Sequence, residues 1–169
     1  MRKYHVIRAG MAVAALTAAL QAAPGNGLGL TVGGVSASQA GMDSSGASLG
    51  VDAQFACNAR WSINPYIMFS YERATAPRQN LSDNLAGMQF RYWIGGVYLG
   101  PHVFFHDRLI YGGTNVANSQ YGPGAGVVLG WEGTGGFTLG AQVDALEAQF
   151  LQSAERRTAV RAYVGYRWK

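Results

Sequence analysis

Ala47-Ser48-Leu49-Gly50-Val51-Asp52-Ala53-Gln54-Phe55-Ala56-Cys57 decides the fold. In steps of two from Ala47 the side chains are Ala, Leu, Val, Ala, Phe and Cys. The interleaved set is Ser48, Gly50, Asp52, Gln54 and Ala56. One face is apolar and the other polar or small over eleven residues, the period of a strand with one greasy face. At 100° per residue a helix would carry Asp52 and Gln54 into its apolar stripe.

The same alternation returns on both sides of this stretch. It predicts strands over Leu28–Gly33, Ala47–Cys57, Ile67–Glu72, Ala86–Gly95, Val97–His106, Tyr121–Glu132, Phe137–Ala145 and Val160–Trp168. A tilted strand needs about 9–11 residues to cross a bilayer. Eight strands is the smallest number for a bacterial transmembrane barrel. The fold class read from the pattern is all-β: an eight-stranded antiparallel up-and-down transmembrane β-barrel. Connections after the second, fourth and sixth strands are compact (Asn58–Pro65, Gly95-Gly96, Gly133–Gly136). Those after the first, third, fifth and seventh are polar and mostly longer (Ser36–Gly46, Ala74–Asn84, Asp107–Gln120, Gln149–Thr158). Short periplasmic turns and long outer loops are the asymmetry of such barrels.

Composition agrees. Of 169 residues only 13% are charged, while 24 are Gly, and nine Tyr, seven Phe and four Trp are present. Ordinary soluble domains carry about 25% charged residues and about 7% Gly. Disorder is excluded by the aromatics, and a disulfide scaffold by a single cysteine, Cys57. The net charge of +4 belongs largely to the first residues. Arg2, Lys3 and Arg8 precede an apolar Ala9–Leu20 and then Gln21-Ala22-Ala23-Pro24, the order of a secretory signal peptide. Residues 1–23 are therefore expected to be removed and 24–169 to form the barrel domain. The remainder carries ten basic and nine acidic residues, which gives no reason to expect a nucleic-acid partner.

In this register the polar face carries Asp52, Glu72, Arg91, Glu132, Asp144, Arg161 and Arg167 among many glycines. That is thin for a solvated surface, which wants about a quarter to a third charged residues. It suits a narrow interior, since eight strands enclose just enough room for side chains to fill. The expectation is a plugged lumen with paired charges, whose inward glycines make room for Tyr98, Phe104 and Tyr163. A soluble exported, lipocalin-like barrel around an apolar ligand is the inside-out alternative. Trp61, Trp93, Trp131 and Trp168 each fall at the periplasmic end of a strand, where indoles collect at the membrane boundary. Trp93 alone has lumen parity, which predicts a bulge or register break near it.

The ending Val160-Arg161-Ala162-Tyr163-Val164-Gly165-Tyr166-Arg167-Trp168, with Lys169 one residue beyond the aromatic, resembles the C-terminal insertion signal of outer-membrane barrels. Across residues 24–169 the layout resembles small eight-stranded outer-membrane proteins of the OmpA/OmpX and opacity-protein kind. The stretch from Arg91-Tyr92-Trp93-Ile94-Gly95-Gly96 to Trp131 also resembles barrel families of unknown function. The resemblance implies insertion by the barrel-assembly machinery and residence in a Gram-negative outer membrane, among its lipid and lipopolysaccharide. It implies no single activity.

Other motifs carry less. His102 and His106 have ligand spacing on a helix, but on a strand their separation is about 13 Å, at about 3.3 Å per residue. Some small barrels are lipid A acylases or deacylases; here His106 and Asp107 could supply two members of such a triad, with Ser119 or Ser153 as a remote third. Gly122–Gly126 lacks the Lys-Ser/Thr and helix of a phosphate cradle, so it reads as strand packing. No cofactor motif is present. Asn80-Leu81-Ser82 carries no weight as a glycosylation pattern, and Cys57 is expected near a strand end toward lipid. Arg73, Arg78, Arg108, Arg156 and Arg157 map to the outer half or its loops. Arginine binds phosphate in bidentate fashion, which makes them candidates for lipopolysaccharide headgroups.

Overall fold

The computed structural model describes residues 24–39, 41–75, 78–112, 115–147 and 157–169. The expected signal peptide, residues 1–23, lies outside them. Eight strands are present: β1 (Gly27–Gln39), β2 (Met42–Ala56), β3 (Trp61–Ala74), β4 (Asn80–Ile94), β5 (Val97–Gly112), β6 (Asn115–Glu132), β7 (Phe137–Glu147) and β8 (Arg157–Trp168). Each pairs antiparallel with its neighbours in sequence, and β8 returns to β1 to close the barrel. Closure leaves no free sheet edge, the condition for strands in hydrocarbon.

The apolar face is outside. Val51, Leu129 and Val164 are 50%, 56% and 44% exposed, while Asp52 and Arg161 are 7% and 0% exposed. A lipocalin-like arrangement is thereby overturned. On β3 the outward side chains run Trp61, Ile63, Pro65, Ile67, Phe69, Tyr71 and then Arg73. From Trp61 to Tyr71 is ten residues, about 33 Å along a strand. At a tilt of about 35–45° this spans about 25 Å, the height of an outer-membrane apolar band.

The compact turns gather at one end. Asn58 accepts the backbone N–H groups of Arg60 and Trp61 at 2.8 and 3.0 Å to turn β2 into β3. Gly95 has φ of 60° at the first position of the two-residue β4–β5 turn, the type II′ geometry that follows strand twist. Gly136, φ 86°, ends the β6–β7 turn.

Strand lengths depart from the sequence reading. Ser36–Gly46 was expected as a loop, yet it is almost wholly a hairpin in which Ser36 faces Ser45 and Gln39 faces Met42. β3 begins at Trp61, so the expected turn through Pro65 shrinks to Cys57–Arg60. β5 and β6 run for 16 and 18 residues and cover most of Asp107–Gln120. Beyond the outward apolar band the exterior side chains become polar while the backbone ladder continues, with one register shift near Ile110. Apolar alternation ends before the strand does. The long outer loops expected from the sequence are thus mostly sheet, and Gln149–Thr158 falls largely outside the described residues.

Candidate functional site

Inward positions carry ten almost fully buried charged groups, balanced among the described residues. Five acids, Asp52, Glu72, Asp83, Glu132 and Asp144, face five arginines, Arg91, Arg108, Arg157, Arg161 and Arg167. A buried charge without a partner is costly, and a paired one is tolerable only when its remaining hydrogen-bonding atoms are used. The lumen pairs these charges through one connected network, and leaves Asp83 Oδ1, Arg161 Nε and Arg167 Nη1 buried without a hydrogen bond. Near the outer end Arg157 reaches Glu72 at 2.5 Å and Asp83 at 2.6 Å, and Ser44 donates to Glu72 at 2.6 Å. Asp83 also receives Arg108 and Arg161, at 3.2 and 3.1 Å, and Arg161 pairs in turn with Asp144.

Neutral amides carry the chain downward. Gln142 donates to Asp144 at 2.9 Å and accepts from Gln89 at 3.1 Å, and Arg91 donates to Gln89 at 2.8 Å. Asp52 sits 3.6 Å from Arg91 and 2.7 Å from Arg167. Arg167 meets Glu132 at 2.9 Å, and Lys169 caps Glu132 at 3.1 Å from the end of the barrel that carries the compact turns.

Aromatic groups fill the remaining space. The Arg91 guanidinium lies 4.3 Å over the Tyr98 ring, and the Tyr98 and Tyr163 hydroxyls are 2.9 Å apart. Cβ atoms added at Gly124, Gly130 and Gly140 would enter the rings of Phe104, Tyr98 and Tyr163 respectively, as the glycine reading expected. Trp93, Tyr98, Val128 and Tyr163 close the lower lumen, and Ala74, Leu81 and Ile110 with Met42 close the upper. Between them a cavity of about 20 Å³ touches Thr31, Asp52, Tyr66, Gln89 and Arg91, room for a single water.

The seven lumen charges read from the sequence all face inward. Asp83, Arg108 and Arg157 were missed there, although parity could have found them: Arg108 is two residues beyond inward His106, and Arg157 four before Arg161. Arg108 and Arg157, expected among lipid headgroups, are instead 0% and 1% exposed inside the barrel. Their strands continue past the predicted ends and keep them on the inner face. Arg73 and Arg78 are exposed outside, and Arg156 lies outside the described residues.

Trp93 also needs correction. It is inside the barrel, 2% exposed, donating to Ser62 Oγ at 2.9 Å and packing on Tyr98. β4 pairs regularly with β3 and β5 around it, so the expected break is absent and lumen parity was the correct reading. Bulges occur elsewhere, near Ile110 in the β5–β6 pairing and near Ala125 in the β6–β7 pairing. Trp61 and Trp168 stand on the exterior, 45% and 55% exposed, with Trp131 partly covered beside Phe137. Cys57 is exposed in the β2–β3 turn.

The two histidines point inward with Phe104 between them; its ring centroid is 5.3 Å from His102 and 6.4 Å from His106. His102 Nε2 is 3.2 Å from Asp144, and Nδ1 is 3.1 Å from the Tyr66 hydroxyl. Asp107 and Ser119 are exposed on the opposite face from His106, as successive residues of a strand must alternate. The His106–Asp107–Ser119 constellation is therefore not assembled, and Ser153 lies outside the described residues.

An outward apolar band, closed pairing and an inward polar network define an outer-membrane-type eight-stranded β-barrel. Solved structures of this fold resemble it closely in extent. Neisserial surface protein A (NspA) matches with a TM-score of 0.67 and 16% identity, over 88% of this chain and 99% of that one. Ail, the attachment invasion locus protein of Yersinia pestis, solved with the heparin analogue sucrose octasulfate, gives 0.52 and 10%, over 85% and 99%. OprG from Pseudomonas aeruginosa gives 0.51 and 8%, over 88% and 99%. No protein-family model and no curated protein matches the chain.

Proposed function

We propose that this chain is a non-enzymatic, non-conducting barrel of the Gram-negative outer membrane, acting as a structural and interaction protein through its exterior and outer rim. One observation carries the reading: a connected network of buried side chains crosses the lumen from Ser44 to Glu132, where the partly exposed Lys169 meets it. Among the described residues it leaves a cavity of about 20 Å³ beside Asp52 and Arg91, which supports a closed lumen and an interacting surface on the outside. The C-terminal resemblance to an insertion signal supports delivery by the barrel-assembly machinery.

At the rim, Arg73 stands one outward step above Tyr71 and Arg78 is exposed in the β3–β4 connection. Guanidinium groups just above an aromatic girdle lie at the level of lipopolysaccharide phosphates, which they can grip in bidentate fashion. Ail, of the same fold, was solved with a polyanion. Three measurements test the reading. In planar bilayers the purified protein gives no conductance steps above baseline; steady single-channel openings would end the sealed-lumen account. Arg73→Gln/Arg78→Gln lowers the lipopolysaccharide that co-purifies; an unchanged amount removes the headgroup role. Lipid A from cells with and without the protein has the same mass spectrum; a shift in acyl content would make it an enzyme.

A further inference from the structure

The ten lumen charges are distributed unevenly along the chain. Asp52, Glu72, Asp83, Glu132 and Asp144 sit on five different strands, β2, β3, β4, β6 and β7. Three of the five arginines, Arg157, Arg161 and Arg167, sit on β8, which carries no acid. Every one of the five acids is paired with a β8 arginine: Glu72 and Asp83 with Arg157, Asp83 and Asp144 with Arg161, Asp52 and Glu132 with Arg167. Without β8, the described lumen face of β1 to β7 holds five acids against Arg91 and Arg108. It has a surplus of three negative charges, and β8 supplies three positive ones.

We propose that β8 is an electrostatic key, whose arginines drive closure of the β1–β8 seam and set its register. An open seven-stranded sheet keeps its acids in water, where they are screened beyond about 10 Å at 0.1 M salt. Docking β8 takes the acids out of water, a step tolerable only when cations arrive with it. The spacing of Arg157, Arg161 and Arg167 is even, so all three share a face. A slip of one residue would turn all three to the outside of the barrel, away from their acids. A slip of two would carry each guanidinium about 7 Å past its acid, at about 3.3 Å per residue. The strand that closes last in sequence is thereby accepted in one alignment only.

The test uses the full chain with Cys57→Ser, refolded into phosphatidylcholine vesicles. Val32 and Val164 are cross-strand partners on the outside of the seam, and Ile67 and Ala86 are partners between β3 and β4. Antiparallel partners lie about 4.5–5.5 Å apart at Cα, within disulfide reach. Val32→Cys/Val164→Cys reports the seam, and Ile67→Cys/Ala86→Cys reports the sheet. Adding Arg157→Gln/Arg161→Gln lowers the seam disulfide at least about tenfold, since two buried acid partners lose their cations. The sheet disulfide still forms. Further addition of Glu72→Gln/Asp144→Asn restores charge balance and returns the seam disulfide to near its original yield. An unchanged seam in the arginine variant overturns the proposal. Loss of the sheet disulfide together with the seam also overturns it, because the arginines would then hold up the whole sheet. Failure of the four-substitution variant to recover overturns it too, because arginine shape rather than charge would be what closes the barrel.

Discussion

Asp83→Asn removes one negative charge from the most heavily shared acid in the lumen. Asp83 Oδ2 accepts Arg157 at 2.6 Å, Arg161 at 3.1 Å and Arg108 at 3.2 Å, and the residue is fully buried. Asn is nearly the same size and keeps one acceptor oxygen, so packing changes little. What changes is the balance: three arginines then share Glu72 and Asp144. Removing one partner of a buried ion pair costs about 3–5 kcal/mol. The retained acceptor places this substitution at the lower end, about 3 kcal/mol. Urea unfolding in lipid vesicles, followed by tryptophan fluorescence, measures it. With a slope of about 1–3 kcal/mol per M, the midpoint falls by about 1–3 M. Asp43→Asn, on the exposed start of β2, leaves the midpoint where it was. Adding Arg108→Gln to Asp83→Asn makes the double variant cost less than the two singles together, the sign of a shared network. An Asp83→Asn midpoint within error of the unsubstituted protein would mean that water or lipid headgroups solvate these arginines, and the sealed-lumen argument would fail.

Packing and topology give three further expectations. Gly124→Ala pushes a methyl into the Phe104 ring, whereas a Cβ at Gly135 meets nothing within 4 Å; the first should cost about 1–3 kcal/mol and the second stay within about 0.5 kcal/mol in the same unfolding assay. In single-tryptophan variants, lipids brominated on their acyl chains should quench Trp61 and Trp168 and spare Trp93; quenching of Trp93 would return it to the membrane interface. Cys57, exposed in the β2–β3 turn, should resist a membrane-impermeant maleimide on intact cells and react once the outer membrane is permeabilised; labelling of intact cells would invert the topology.

Much of this molecule can be read from alternation, because the side-chain period of a strand is two and a barrel wall one strand thick has only two sides. Ala47–Cys57 needs no partner to reveal which side meets hydrocarbon. Trp93 shows how firm that logic is. The general preference of indoles for the membrane boundary points one way and parity the other, and parity prevails. Turning Trp93 outward would turn Gln89 and Arg91 outward with it, into lipid. The inward indole finds the one thing a buried N–H requires, an acceptor in Ser62. The strand ends were illegible for the complementary reason. Above Tyr71 and Tyr121 the outward residues face water, so serine and asparagine serve there as well as valine does below.

That misplacement of strand ends also conceals the charge balance. With strands stopped at Glu72, Ala86, His106 and Val160, the interior holds four acids and three arginines, a lumen one cation short. Extending the same parity adds Asp83, Arg108 and Arg157 together, and the count closes at five and five among the described residues. A narrow lumen with a surplus charge would need a counter-ion or an open water column to be stable. Neutrality is therefore a physical constraint on where strands end, usable before any coordinates exist. Among alternative ends for β4, β5 and β8, those that balance the enclosed charge are favoured. By that criterion the upper rim of this barrel would have been placed beyond Arg108 and Arg157 rather than below them.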